Sequence, residues 1–151
     1  MEQHLKLNDT DGTLLVDPVS YRRLVGLLIY LTISRPDITY TVNILSQFMH
    51  APREPRQQAT FWLLRHLKTT PGYGLFFSSA CGFQLSAYYD SDWASCPMTR
   101  RSTTGFVVKL GDSPISWRIE KQSIVSRSSV KAGYHAVANT SYELNGHVSS
   151  L

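Results

Sequence analysis

Phe83-Gln84-Leu85-Ser86-Ala87-Tyr88-Tyr89, running on into Asp90-Ser91-Asp92-Trp93-Ala94, is the stretch on which the fold turns. Phe83, Leu85, Ala87 and Tyr89 alternate with Gln84, Ser86 and Tyr88, the period of a half-buried strand. Two carboxylates two residues apart close that strand. On an extended backbone Asp90 and Asp92 point to one side. A carboxylate pair at a strand end is the kind of oxygen donor set that a hard divalent cation takes.

Beyond this strand the period stays at two. Gly105 to Leu110 reads as a strand with Phe106, Val108 and Leu110 on one face, Gly111-Asp112-Ser113-Pro114 as a turn, and Ile115 to Ile119 as the return strand. Gly74 to Ser78 is a further, short strand candidate. Ser126 to Ser129 can cap a last helix, with Tyr134, Val137 and Leu144 as its apolar positions. From Asn145 to Leu151 the pattern is lost.

Before the strand the period is helical. Asp17-Pro18 pairs a capping residue with proline at the first helical position. Tyr21, Leu24, Val25, Leu28 and Leu31 then recur on one face. Ser34-Arg35-Pro36 ends that helix. Pro36 and Asp37 begin a second, with Ile38, Val42, Leu45 and Met49 inward. After Ala51-Pro52-Arg53-Glu54-Pro55 a third helix sets Ala59, Trp62, Leu63 and Leu67 inward and Arg56, Arg65 and Lys68 outward. The change of period near Pro71-Gly72 divides the chain into 1–71 and 72–151. Three helices followed by strand, hairpin and helix make an α+β order.

Composition bounds the function. A 151-residue chain can bury a core of its own. Its 42% hydrophobic and 17% charged residues are globular. A net charge of +4 permits weak contact with phosphate without requiring it. Cys81 and Cys96, without a CxxC spacing or a histidine set, argue for two reduced thiols rather than zinc. Met1-Glu2-Gln3-His4-Leu5-Lys6 has no apolar leader segment, which points to the cytoplasm or nucleus. The apolar run Leu24 to Leu31 is broken by Gly26 and falls far short of the ~20 residues that span a bilayer, so no membrane role is expected.

Six short stretches then carry a resemblance. Tyr21-Arg22-Arg23-Leu24-Val25-Gly26, followed by Ser34-Arg35-Pro36-Asp37-Ile38, resembles the end of the reverse transcriptase in the Pol polyprotein of Ty1/copia retrotransposons. Asp90-Ser91-Asp92-Trp93-Ala94, Thr99-Arg100-Arg101-Ser102-Thr103-Thr104-Gly105-Phe106, Ile115-Ser116-Trp117 and Val125-Ser126-Arg127-Ser128-Ser129 are similar to the start of its RNase H domain. The resemblance implies a helical end of reverse transcriptase over 1–71. It implies a truncated RNase H-like mixed or antiparallel sheet with one covering helix over 72–151.

The same resemblance implies a lost activity. The family's RNase H holds two magnesium ions with four carboxylates. One metal activates water and the other steadies the leaving oxygen, about 4 Å apart. Asp90 matches the first of the four, and Asp92 stands beside it. The family pattern Ser-Ser-Ala-Glu-Ala-Glu-Tyr reads here Ser128-Ser129-Val130-Lys131-Ala132-Gly133-Tyr134. Gly133 stands where the second ligand belongs, and Lys131 adds a cation that opposes metal binding. The third and fourth aspartates lie past Leu151. The expectation is therefore vestigial Asp90 and Asp92, no metal, no cofactor and no nuclease or polymerase activity.

Plainer accounts stand beside these. Arg100 and Arg101 are weak candidates for nucleic-acid contact and fit a solvated turn as well. Trp62, Trp93 and Trp117 read as packing residues, and His66 and His135 lack a ligand set. The uncovered sheet suggests self-association. Two alternatives to an inert retroelement fragment remain. One is a dead RNase H-like module that binds nucleic acid. The other is a secreted RxLR effector that enters host cells, meets a host protein and modulates defence. For the latter, Arg65-His66-Leu67-Lys68 is only a near match, inside an expected helix and behind no leader.

Overall fold

Asp17 caps the first helix as its place before Pro18 predicts. In the computed structural model its Oδ1 accepts from the backbone N–H of Val19 (3.0 Å) and Ser20 (3.2 Å). Those bonds hold the carboxyl below its ordinary range. Residues 12–79, 82–96 and 99–148 are described, in two compact units that meet between Gly74 and Leu75. The arrangement is α+β, a helical part followed by an antiparallel sheet with a helix.

In the first unit α1 spans Pro18–Leu31, a 3-10 turn spans Pro36–Ile38, α2 spans Thr39–Ser46 and α3 spans Glu54–Thr69. Tyr21, Val25, Leu28, Ile38, Val42, Leu45 and Leu63 form one buried cluster, with Leu24, Leu31, Met49, Ala59 and Leu67 against it. Burying a side chain of this size contributes about 1.5–3 kcal/mol. Residues 13–15 run beside 52–54, where Leu15 N–H donates to Pro52 O (3.0 Å) and Glu54 N–H to Thr13 O (3.0 Å). Gly12 starts that segment at φ +81°, where an added Cβ would lie 2.5 Å from the Pro55 ring.

On α3 two of the expected positions are reversed. Arg56 was placed outward and is 0% exposed, whereas Trp62 was placed inward and is 48% exposed. The buried positions are Arg56, Thr60 and Leu63, with Ala59 and Leu67 against the core as expected. The guanidinium of Arg56 lies 4.6 Å from the centre of the Phe48 ring, and a flat cation on an aromatic face tolerates such burial. Tyr21 is part of this buried group. Its hydroxyl donates to Leu45 O (3.0 Å), and burial pushes its pKa up to about 12.

In the second unit β1 (Leu85–Asp92), β2 (Thr103–Leu110) and β3 (Ser113–Lys121) form an antiparallel sheet in the order β1-β2-β3. β1 starts two residues later than expected. Leu85 already pairs with Leu110 at the end of β2, so Phe83 has nothing to pair with and is exposed. Gly74 to Ser78 forms no strand, and Phe76 and Phe77 are exposed there. The β2–β3 turn is Gly111-Asp112, with Gly111 at φ +56°. A register shift at Val108/Lys109 meets Pro114, whose missing N–H interrupts the ladder.

The last helix, α4 (Ser129–Val148), differs from expectation twice. It continues through Asn145, Gly146 and His147 to Val148, where the apolar pattern had already faded; residues 149–151 lie outside the described part. It also buries Ala132, Ala136 and Thr140, while Tyr134 is 70% exposed and Val137 is exposed too. Small side chains let the helix axis come close to the sheet. The helix packs mainly on β1 and also on β2.

Candidate functional site

The carboxylates that opened the sequence reading are both exposed at the end of β1. Asp90 Oδ1 accepts from the N–H of Ser91 at 2.8 Å. Directly opposed residues of an antiparallel pair share a face. Asp90 opposes Gly105 and Asp92 opposes Thr103. The buried residues of β2, Thr104, Phe106 and Val108, are on the other face.

That other face is the one α4 covers. Gln122 follows β3, and its Nε2 donates both to Thr104 Oγ1 (2.8 Å) and to Ala132 O on α4 (3.0 Å). Asp90 and Asp92 thus lie on one side of the sheet and Gly133, on α4, on the other. Nothing lies within 4 Å of a Cβ built on Gly133. Lys131 is exposed, its N–H donating to Ser128 Oγ (3.3 Å), which caps the helix. Among the described residues, no three His, Cys, Asp or Glu side chains gather as a metal would need.

The residues of the second unit's motifs instead build a buried polar network. Ser126 Oγ donates to Gln122 Oε1 (3.2 Å), and Ser126 O accepts from Trp93 Nε1 (2.9 Å). Gln122 N–H donates to Ser102 O (2.8 Å), and Ser102 Oγ accepts from Ala94 N–H (3.1 Å). Ser102, Thr104, Gln122 and Ser126 are all buried. A buried hydroxyl or amide is tolerated only when partnered, so this network sets α4 and the turn after Asp92 against β2. Gln122 was not singled out in sequence, because a lone glutamine after a strand carries no pattern.

Arg100 and Arg101 are exposed on the turn before β2. Arg100 adopts φ +53°, and the turn closes through Arg100 N–H to Cys96 O (2.8 Å) and Cys96 N–H to Arg101 O (3.1 Å). Cys96 is buried; Cys81 and the amino-terminal residues 1–11 lie outside the described part. No helix among the described residues is long and apolar enough to cross a membrane.

In the first unit Ser34-Arg35-Pro36-Asp37 also proves architectural. Arg35 grips Asp37 through two bonds of 2.8 Å, and reaches Thr70 O and Thr70 Oγ1 at 3.0 Å each. It thereby ties the 3-10 turn to the end of α3. The Arg35 guanidinium holds the Asp37 carboxyl below its ordinary range. His66, expected to be incidental, stands 3.3 Å from the same carboxylate.

Comparison with known proteins follows the motifs. The chain is 50% identical over 139 residues, 92% of its length, to a retrovirus-related Pol polyprotein from transposon RE1 of Arabidopsis thaliana. It spans 10% of that polyprotein. An uncharacterised mitochondrial protein of the same plant is 57% identical over 77 residues, and the match covers 69% of it. A secreted RxLR effector protein of Plasmopara viticola is 40% identical over 126 residues, and the match covers 89% of it. No family model matches, and no solved structure matches.

Proposed function

Because this chain belongs to the family of copia-type retrotransposon Pol polyproteins, we propose that it represents the junction of their reverse transcriptase and RNase H regions and hydrolyses no nucleic acid. The first unit is the helical end of the polymerase and the second is the start of an RNase H-like domain. The observation that carries this reading is the pair Lys131 and Gly133 on α4. Two-metal phosphodiester cleavage needs convergent carboxylates. The family motif has glutamates at these two positions, and this chain has a cation and no side chain. Asp90 and Asp92, exposed to water on the far side of the sheet, have no convergent carboxylate from α4.

The test is direct. The purified chain is incubated with labelled RNA–DNA hybrid and magnesium or manganese, and no cleavage is expected. Cleavage that disappears in Asp90→Asn overturns the proposal. Binding of hybrid without cleavage, weakened in Arg100→Ala/Arg101→Ala, would favour the nucleic-acid-binding alternative.

A second reading rests on the Plasmopara viticola relative, most of whose length is matched. By that similarity the chain would be a non-enzymatic effector acting in host cells. Arg65-His66-Leu67-Lys68, the nearest approach to the effector motif, lies within α3, where Leu67 packs against the core. A secretion-trap assay of the natural gene product separates the two: export favours the effector, and retention favours the retroelement fragment.

A further inference from the structure

α3 ends at Thr69 and β1 begins at Leu85, and the chain that joins them is not held evenly. Tyr73 is tied to the first unit. Its N–H donates to Thr70 O (3.2 Å), and the Arg35 guanidinium lies 5.9 Å from the centre of its ring. Ser78 is tied to the second, its N–H donating to Ser113 Oγ (3.3 Å). From Gly74 to Phe77 the chain is in neither helix nor strand, and these residues make no hydrogen bond among the described residues. The space around Gly74 is open, with nothing within 4 Å of an added Cβ. Such a backbone can be drawn out straight without first breaking a bond of the fold.

The same stretch carries bulk that the fold does not use. Phe76 is 81% and Phe77 58% exposed. A phenylalanine held in water gains by entering an apolar pocket. Other exposed aromatics are placed differently. Tyr30, Trp62 and Tyr134 lie within helices, and Tyr88 and Tyr89 lie in a paired strand. Trp93 is tied through its Nε1–H to Ser126 O. Phe83 is followed by Gln84, whose carbonyl accepts from Gly111 N–H (2.8 Å). A peptidase takes its substrate as an extended strand, so susceptibility follows the freedom of the backbone and not exposure alone. Phe76 and Phe77 combine exposure with that freedom.

We infer that the peptide bond joining Phe76 to Phe77 is an endoproteolytic processing site, for a peptidase whose apolar pockets take an aromatic side chain on each side of the scissile bond. Water adds to the Phe76 carbonyl carbon, the C–N bond to Phe77 breaks, and the freed nitrogen takes up the proton. The products carry a carboxylate on Phe76 and an ammonium on Phe77. The cut spares what holds each unit. The aliphatic cluster from Tyr21 to Leu63 and the bonds of Arg35 to Thr70 lie before it. The sheet, α4 and the Gln122 network lie after it. The site requires neither nuclease activity nor export, so it holds for the retroelement and the effector reading alike.

Chymotrypsin cuts after large aromatic side chains and thermolysin before large apolar ones, so the two approach this bond from opposite sides. Each is added to the full chain at a low ratio, and intact-mass spectrometry follows the products. Both should yield 1–76 and 77–151 first, and both fragments should persist. Phe76→Ser/Phe77→Ser should slow the first cut at least about tenfold, because an apolar pocket loses its occupant. Its thermal midpoint should match wild type, since neither side chain is buried. Tyr134→Ser removes a side chain that is 70% exposed but helical, and should leave the first cut unchanged. A first cut at another bond, fragments digested as fast as they form, or an unchanged rate in the double variant would overturn the inference.

Discussion

The two units reach stability by different routes. The first buries large aliphatic side chains from α1, α2 and α3 in one cluster around Val25, Ile38, Leu45 and Leu63. Its polar clamps, Arg35 on Asp37 and Arg56 on Phe48, brace that cluster from its margins. The second buries little bulk where its helix meets its sheet: Ala132, Ala136 and Thr140 lie against β1 and β2. There Gln122 and Ser126 set the register of helix on sheet. Non-directional burial tolerates small errors in geometry, whereas a buried hydrogen-bond network fails as a unit when one partner is lost. The first unit should thus soften gradually under substitution, and the second should lose its helix docking in one step.

The strongest blow to this contrast would come from the aliphatic cluster. Leu63→Ala should cost about 2–5 kcal/mol and speed amide exchange in α1, α2 and α3 while the sheet keeps its protection. A loss below about 1 kcal/mol would mean that the cluster is not what holds the first unit. Gln122→Ala comes next, at about 1–3 kcal/mol, since it strands Thr104 Oγ1 and the Ser126 hydroxyl in a dry site. Amide exchange should rise throughout α4 with β2 still protected; an unchanged α4 would show that alanine packing alone docks the helix.

Gly133→Glu sharpens the comparison from the other side. The site is open, so the change should add up to about 1 kcal/mol to helix stability. It should not confer hybrid cleavage, since Asp90 and Asp92 occupy the opposite face of the sheet. Magnesium-dependent cleavage by this variant would refute both statements about the site. The smallest effect concerns acid. Asp37 has a depressed pKa in the folded chain, so the stability it lends is whole above its unfolded value of about 3.9. That contribution drains away as pH falls through the lower folded value. Because the side chain is partly exposed, solvent screens the pair, and the effect should be modest. Asp37→Asn should flatten the acid limb of a stability–pH curve for the first unit. A curve identical to wild type would remove Asp37 from the account.

Much of this was legible in the chain itself. Asp17-Pro18 located the start of α1, and the spacing of Tyr21, Val25 and Leu28 named the face that is buried. Phe106 and Val108 marked the inner face of β2, and Gly111-Asp112-Ser113-Pro114 the turn, although Ser113 and Pro114 already belong to β3. Two positions on α3 were misassigned because periodicity ranks residues by polarity. An arginine whose plane lies on a phenylalanine ring is buried against that ranking, and Trp62 is left outside. On α4 the large residues drew the apolar face toward Tyr134 and Val137, whereas the sheet took the alanines.

The sequence by itself determined the α+β order, the helix caps and the resemblance to copia-type Pol polyproteins. These depend on local chemistry and on residue identity, which need no third dimension. Only the tertiary structure decided that Asp90 and Asp92 turn away from α4, that Gln122 docks the helix, and that β1 is an edge of the sheet formed by the described residues. Each of these depends on which strand pairs with which and which face the helix covers. Strand pairing and helix packing join residues distant in the chain, and no local periodicity records such a choice.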